Sequence, residues 1–536
     1  MPTPQTQHAI QFVGADQIVH NTAKVVVPLR DHEVRVRIDS CGVCFSDTKL
    51  LHAFDAHLRK AFVVGVDDAV IAQLTASAQY VPGTAPGVPG HEVSGRIVEI
   101  GSEVRCHSVG ERVLVQTDYR HLPTPGSNAA FGYNFEGGLQ QYVTVDERVV
   151  IEPGTGERFL IPVSETPTCS AVSLCEPWAC VEAAYAWSER QAIRPGGAVL
   201  VVAEVGRSDA ELEALLAAAA PQRLDREIGD GPYDDIIYLG SDADTLERLT
   251  GLLGFGGLLV FALGGESLPR PVQIDVGRVH YDLIRVAGTS GSSVAEAYAR
   301  IPAVSEVRAG DRVAVIGAAG PMGLMHTLRT AVSGVPDVSI EAVDVDDTRL
   351  AHLAEALAPI AAANGVPISF RNTANQPLDG RFDYVSVMVP SPGLISQAVD
   401  LCDVNAIVNA FAGFAVGTTA TIDLNVVAER GVYLIGTSGS RMQDMKTVLA
   451  RVESGVLDTN VSLDAICGMA GVADAFEAIQ NRTVTGKIMV YPSVVGLGLV
   501  RLADLASVRP DVAAAMDGNR WTSAAEMVLL EARSER

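Results

Sequence analysis

The sequence predicts an α/β protein carrying two doubly wound parallel sheets in tandem, preceded by a segment with metal-ligating side chains. Three observations predict this. The chain has 536 residues, 48% of them hydrophobic and 19% charged, which is enough apolar material for several buried cores and excludes wholesale disorder. Short apolar strands alternate with helical stretches through its centre, the pattern of parallel βαβ units. That pattern also occurs twice.

The first occurrence reads Tyr233-Asp234-Asp235-Ile236-Ile237, then Gly257 to Ala262, then Ile274-Asp275, then Gly288-Thr289-Ser290-Gly291-Ser292. The second reads Phe382-Asp383-Tyr384-Val385-Ser386, then Ala406 to Phe411, then Ile422-Asp423, then Gly436-Thr437-Ser438-Gly439-Ser440. The successive offsets are 149, 149, 148 and 148 residues. Spacing this steady indicates two related units. Their front halves differ. The strands Ala198–Val202 and Arg312–Ile316 stand only 114 apart, so the first unit is about 35 residues shorter there. A helix and one strand fit in the remaining space, but a full pair of βα units does not. The apolar run Leu249 to Gly265 is interrupted by glycines and reads as a helix end followed by a buried strand, not a membrane span.

The second unit carries a nucleotide fingerprint. After its first strand come Gly317-Ala318-Ala319-Gly320-Pro321-Met322-Gly323, opening a helix. Glycines there permit a tight turn and let backbone approach a pyrophosphate at a helix N-terminus. The next strand ends at Asp344, 21 residues past Gly323. A carboxylate at that place accepts from the ribose hydroxyls and repels a 2′-phosphate, so NAD is expected rather than NADP. Val389, Ala412 and Thr437 follow later strands and belong at the carboxyl edge where a dinucleotide lies. The first unit has Ala203-Glu204-Val205-Gly206-Arg207 where the glycines should be. It is expected to bind no dinucleotide and to serve a structural or oligomer-forming role.

The N-terminal region points to metal chemistry. Cys41 and Cys44 form a C-x-x-C pair, but a structural zinc clasp needs a second pair and none follows within 100 residues. Instead Gly90-His91-Glu92 and Cys175-Glu176-Pro177 lie downstream. One thiolate, one imidazole and one or two carboxylates suit an open catalytic zinc. Cys106, Cys402 and Cys467 stand alone and read as small buried hydrophobes.

Cys44-Phe45-Ser46-Asp47, Gly90-His91-Glu92, Glu176-Pro177 and the Gly-Pro-Met-Gly turn, in this order, resemble the zinc-dependent medium-chain alcohol dehydrogenase family. Gly137-Gly138-Leu139 and Thr485-Gly486-Lys487 agree with it. The resemblance covers roughly residues 20–190 and 306–492, and is nearest to the sorbitol and threonine dehydrogenase branches. It implies a GroES-like β-barrel catalytic domain plus a Rossmann domain, here with a truncated Rossmann-like unit in front. It implies Cys44 and His91 as zinc ligands, Glu92 as a ligand or an exchangeable one, and Glu176 at the third protein-ligand position or one water away, with Cys175 as its rival. It implies that Asp47 orients His91, and that Ser46 binds the substrate hydroxyl and passes its proton outward. Lys49 stands where the family often has a histidine, so proton release either uses an amine or bypasses this position.

Two more departures stand out. The Cys44–His91 gap is 47 residues, about twice the family's, and the extra segment Leu51–Val88 is a candidate lid or substrate wall. The four-cysteine structural lobe is missing, since Val115–Asn134 holds no cysteine. The expected organisation is a catalytic domain at 1–190, the truncated unit at 191–305, the NAD-binding unit at 306–465, a return to the catalytic domain at 466–492, and a helical tail at 493–536. In that tail Val500–Ala506 and Ala524–Arg533 read as helices, either packed on another subunit or solvated.

A formal charge of −24 repels phosphate backbones and argues against nucleic-acid partners. The start, Met1-Pro2-Thr3-Pro4-Gln5, lacks a basic and apolar leader, so a soluble cytoplasmic homo-oligomer with no membrane partner is expected. The expected activity is hydride transfer between NAD and a secondary alcohol or ketone of a polyol, sugar or sugar derivative. The alternatives are an epimerase or lyase that uses NAD transiently, and a redox-silent scaffold that keeps its metal.

Overall fold

The structure is a computed structural model and describes residues 3–531. The chain divides into two compact units. One comprises the residues up to Ala179 together with those from Arg441 onward; the other is Cys180–Ser440.

The first unit is built on an eight-stranded sheet. Its order is Val500–Arg501, Leu463–Cys467, Lys487–Val490, Glu33–Val43, Glu92–Ile100, Arg112–Val115 and Leu160–Pro162, with Tyr142–Asp146 also pairing to Glu33–Val43. The central strand alternates apolar and polar residues, so Val34, Val36 and Ile38 fall on one face. They are buried with Val93, Ile97, Val113 and Val143 in a single core. The strand ends at Val43, and Cys44 caps the helix Phe45–Ala53.

The extra segment Leu51–Val88 forms two 3-10 turns, Phe54–Ala56 and Leu58–Lys60, and a helix, Asp68–Thr75. Polar groups tie it to the barrel. Lys60, almost fully buried, donates to the carbonyls of Val81 and Ala85. Val64 N–H bonds Pro123 O at 2.9 Å, and Asn134 Nδ2 bonds Ala61 O at 3.0 Å. The cysteine-free segment folds as the hairpin Asp118–Thr124/Ser127–Ala130.

The tail differs from the sequence expectation. Val500–Arg501 is a strand paired antiparallel to Leu463–Cys467, followed by a 3-10 turn and the short helix Leu505–Val508. Sheet pairing overrides the local helical pattern here. The helix Ser523–Glu531 forms, and residues 532 and 533 of the expected helix lie outside the described residues. Its Glu526 accepts from Cys169 N–H at 2.6 Å and Ser170 N–H at 3.0 Å, at the start of the helix Cys169–Ser173. A carboxylate is favoured at that helix end. The tail thus packs on its own unit.

The second unit holds two parallel sheets. The six-stranded one runs Ile368–Asn372, Ser339–Asp344, Arg312–Ile316, Phe382–Val387, Cys402–Ala410, Tyr433–Ile435, the doubly wound order 3-2-1-4-5-6. The five-stranded one runs Arg223–Asp225, Ala198–Ala203, Tyr233–Leu239, Leu253–Ala262, Arg285–Thr289. It follows the same order without the outermost strand and without a counterpart of the long helix Asp347–Ala363. Those two elements account for the shorter front half.

The compact units are cut differently from the expected domains, for visible reasons. Residues 191–305 and 306–440 share one hydrophobic core, in which Leu259, Phe261 and Ile274 pack with Val385, Val408 and Ile422. Residues 441–465 join the first unit, where Thr459 Oγ1 donates to Ala171 O at 2.9 Å and Ser170 Oγ to Asn460 Oδ1 at 2.8 Å. Cys402 and Cys467 are buried, but Cys106 is exposed, contrary to the expectation of a buried hydrophobe. It sits in a polar loop whose N–H bonds the Glu147 carboxylate. Among the described residues no helix is long and apolar enough to cross a membrane.

Candidate metal and dinucleotide sites

The end of the central strand and the start of its neighbour bring three donors together. Ligand atoms of Cys44, His91 and Glu92 lie within 4.8 Å of one another. Gly90, just before His91, has φ +94, and a Cβ there would stand 2.7 Å from Cys41 Sγ. Only glycine permits this turn at low cost. Cys41 itself is buried on the strand with its thiol toward Gly42 O, outside the group of three.

Each donor is held from behind. Asp47, fully buried, accepts from His91 Nδ1 at 3.0 Å with one oxygen and from Cys44 N–H at 3.0 Å with the other. That bond fixes the imidazole so that Nε2 is the nitrogen left for a metal, once the ring gives up its second proton. Burial opposes charge on His91, but the Asp47 carboxylate outweighs it and holds the ring well above its usual range. Glu92 is ion-paired through one oxygen to buried Lys487, whereas its buried Oε2 has no partner. An orphaned carboxylate oxygen beside a thiol and an imidazole is the donor set of an open zinc site, so the residues present fit the ion. Ser46 Oγ lies 3.1 Å from both Cys44 Sγ and His91 Nε2.

Glu176 is buried at the start of the helix Cys175–Ala186 and is not one of the three converging donors. Burial pushes it up to about 7, with His91, Glu92, Asp118 and Lys487 as its charged neighbours. Cys175 senses Glu453 and Arg112 instead, and its thiol donates to Ala171 O. Lys49 is exposed, one turn beyond Ser46, with its ammonium 5.8 Å from the Phe45 ring.

Sequence reasoning passed over Lys487 as a site residue, and also Tyr133. The Tyr133 ring stands 5.5 Å from that of His91 and 5.2 Å from that of His57. Arg59 covers it at 5.6 Å and pairs with Asp118 at 2.6 Å. His57 and Arg59 come from the extra segment. Burial and the nearby Arg59 and Lys49 cations lower His57 to about 4.

In the second unit Gly317 (φ +82) follows the strand Arg312–Ile316, and Gly320 caps the helix Pro321–Ala331 without a side-chain bond. A Cβ on Gly323 would stand 2.2 Å from Gly317 O, so the helix can approach the turn this closely only with glycine. Met322 lies in the first turn. Asp344 ends its strand and accepts from Ala319 N–H at 3.1 Å, which places the carboxylate beside the glycine turn. Val389 is half-exposed against Gly317, Ala412 N–H bonds Val387 O, and Thr437 is buried with its hydroxyl unpartnered. A glycine cradle, a strand-end acid and an orphaned hydroxyl fit a dinucleotide. In the five-stranded sheet Glu204 follows the strand Ala198–Ala203, where a glycine turn would lie. Its carboxylate accepts from the Tyr238 hydroxyl and from the N–H groups of Ser241 and Asp242.

Fold and site define a class: a GroES-like domain bearing zinc-type ligands, in one chain with a doubly wound nucleotide-type sheet. The family described as "Alcohol dehydrogenase GroES-like domain" matches residues 30–154. An uncharacterized protein of Escherichia coli, YggP, is 27% identical over 213 residues, 37% of this chain and 49% of its own length. Mannitol-1-phosphate 5-dehydrogenase of Aliivibrio fischeri is 23% identical over 39% of this chain and 61% of its own length. The chain therefore spans only 49% and 61% of the lengths of these two curated relatives. The crystal structure of 2R,3R-butanediol dehydrogenase from Bacillus subtilis shares the fold with a TM-score of 0.53, at 16% identity, over 91% of this chain and 100% of that one. Residues 30–154 thus carry an alcohol dehydrogenase GroES-like domain, and the chain shares the fold of that butanediol dehydrogenase.

Proposed function

We propose that the protein is a zinc-dependent oxidoreductase that moves hydride between NAD and a secondary alcohol or ketone of a polyol, sugar or sugar derivative. One observation carries this reading: Cys44, His91 and Glu92 converge with Glu92 Oε2 left unpartnered in the interior. The relative named for mannitol 1-phosphate supports the substrate class.

Cys44, His91 and Glu92 would hold the ion, with Glu176 favoured over Cys175 as the next protein ligand because His91 and Glu92 are charged neighbours of Glu176, whereas those of Cys175 are Glu453 and Arg112. Bound there, zinc supplies Lewis acidity that lowers the pKa of a substrate hydroxyl. NAD, cradled by Gly317, Gly320, Pro321, Met322 and Gly323, supplies the hydride acceptor. Asp344 accepts from the ribose hydroxyls and disfavours a 2′-phosphate, and Val389, Ala412 and Thr437 line the same edge. Asp47 fixes the His91 tautomer. Ser46 takes the substrate hydroxyl's hydrogen bond and its proton, and Lys49, one turn along the helix, leads that proton to solvent. Tyr133, flanked by His57 and Arg59, forms a wall beside His91, which assigns the extra segment to substrate contact.

The test is a polyol and sugar panel with NAD, read as NADH formation, on the wild type and on Cys44→Ala. The variant should lose both zinc and turnover, and retained activity would overturn the reading. Substrate conversion without net NADH would move it to an epimerase or lyase.

A further inference from the structure

The strands Val272–Asp275 and Thr419–Ile422 form an antiparallel ladder outside the two large sheets. They are the same strand of the two units, since Ile274-Asp275 and Ile422-Asp423 stand 148 residues apart. The register pairs Val272 with Ile422, Gln273 with Thr421, and Ile274 with Ala420. With that offset, Gln273 meets its own counterpart, while Val272 and Ile274 each meet the counterpart of the other. Residue i on j and j on i is the rule of a two-fold, isologous contact. On that axis Gln273 Nε2 donates to Thr421 Oγ1 at 2.8 Å.

The exchange recurs away from the axis. Gly277 lies so near Ala415 and Val416 that a Cβ would stand 2.3 Å from Ala415 O. Asn425, the counterpart of Gly277, clasps the backbone of Leu268, the counterpart of Val416. It accepts from Leu268 N–H at 2.8 Å and donates to Leu268 O at 3.2 Å. The helix Val276–Tyr281 packs on the strand Tyr433–Ile435, and the counterpart helix Leu424–Arg430 packs on the counterpart strand Arg285–Thr289. Val272, Ile274, Ala420 and Ile422 are all buried in the shared core. The two repeats, both within Cys180–Ser440, therefore meet as two subunits of a dimer meet.

We propose that residues 191–305 are a built-in second subunit: they occupy, from within the chain, the face through which the glycine-cradle unit would otherwise pair with another copy of itself. Linkage in one chain makes this association intramolecular, at an effective concentration that no separate partner has to supply. It also releases the repeat at 191–305 from any need for a phosphate cradle, and Glu204 closes the strand end where a cradle would lie. The homo-oligomer expected from sequence is met at this face by the chain's own repeat. The inference rests on strand register and does not need the proposed activity.

The axis pair offers the test. Gln273 and Thr421 are both exposed, and directly opposed residues of an antiparallel ladder have Cα atoms about 4.5–5.5 Å apart, within disulfide reach. Three full-length variants are compared in a Cys106→Ser background: Thr421→Cys alone, Gln273→Cys alone, and both together. The double variant should oxidise to a cross-link within one chain, lighter by two hydrogens and not dimeric on a non-reducing gel. Each single variant should stay uncross-linked. A covalent dimer of the Thr421→Cys single variant would overturn the proposal, because a residue on a true two-fold axis meets itself in the partner. Failure of a folded double variant to close would also overturn it. If the variants do not fold, hydrogen exchange of the wild type decides. Amides of 272–275 and 419–422 should be equally protected at low and high protein concentration, and protection lost on dilution would contradict a built-in partner.

Discussion

Replacing Asp47 with Asn tests the support of the metal site without changing its shape. Both Asp47 oxygens accept: one takes His91 Nδ1–H at 3.0 Å, the other Cys44 N–H at 3.0 Å. An amide has one acceptor and one donor, so in either orientation a donor faces a donor. The residue is fully buried, and water cannot relieve the conflict. Losing one hydrogen bond to a buried charged group costs about 1.5–3 kcal/mol. Removing an outer-shell partner of a ligating histidine weakens metal binding about 10- to 100-fold, which is about 1.4–2.8 kcal/mol. The two magnitudes agree. Competition for zinc against a chromophoric chelator should show that loss, with far-ultraviolet circular dichroism unchanged. Zinc affinity within twofold of wild type would refute the claim that Asp47 holds the His91 ring for a metal.

Three further outcomes are expected. Lys487→Met leaves Glu92 buried without its counter-ion, and denaturant unfolding of the zinc-free protein should show a loss of about 3–5 kcal/mol; unchanged stability would contradict the pair's role. In zinc-free protein Glu176 is pushed up to about 7 by burial, from the ordinary 4.5, so the native state keeps a proton that the unfolded chain releases. Its stabilising contribution is complete below pH 4.5 and is lost as pH rises through 7, so Glu176→Gln should flatten the fall in melting temperature over that window; parallel curves for the two proteins would count against it. Asp344→Asn should weaken NAD binding by about tenfold or more, the loss of one charge-assisted bond, while NADP binding holds or improves. Calorimetric titration with both cofactors measures this, and an unchanged NAD affinity would remove Asp344 from the ribose.

Much of the site was legible because it is local. Cys44, Ser46 and Asp47 sit within four residues, and the turn Gly317–Gly323 announces itself by glycine spacing. What was missed is non-local. Lys487 reaches Glu92 across 395 residues, and no local pattern marks that pairing. Tyr133, Arg59 and His57 converge only once the extra segment has folded against the hairpin. The repeat was readable from its offsets, but not the edge by which its halves meet, which depends on two strands pairing outside either sheet. The tail read as helix at Val500 because the sequence does not display the neighbouring strand that claims it. Cys106 read as core because loop geometry, not residue type, decides its exposure.

Zinc, proposed at Cys44, His91 and Glu92, should be required for hydride transfer to NAD. The most direct measurement follows NADH formation with the best polyol of the panel as zinc is removed and restored. About one zinc per chain is expected, with loss of NADH formation when the metal is removed and recovery in proportion to zinc rebound. Undiminished NADH formation by the zinc-free protein would contradict it.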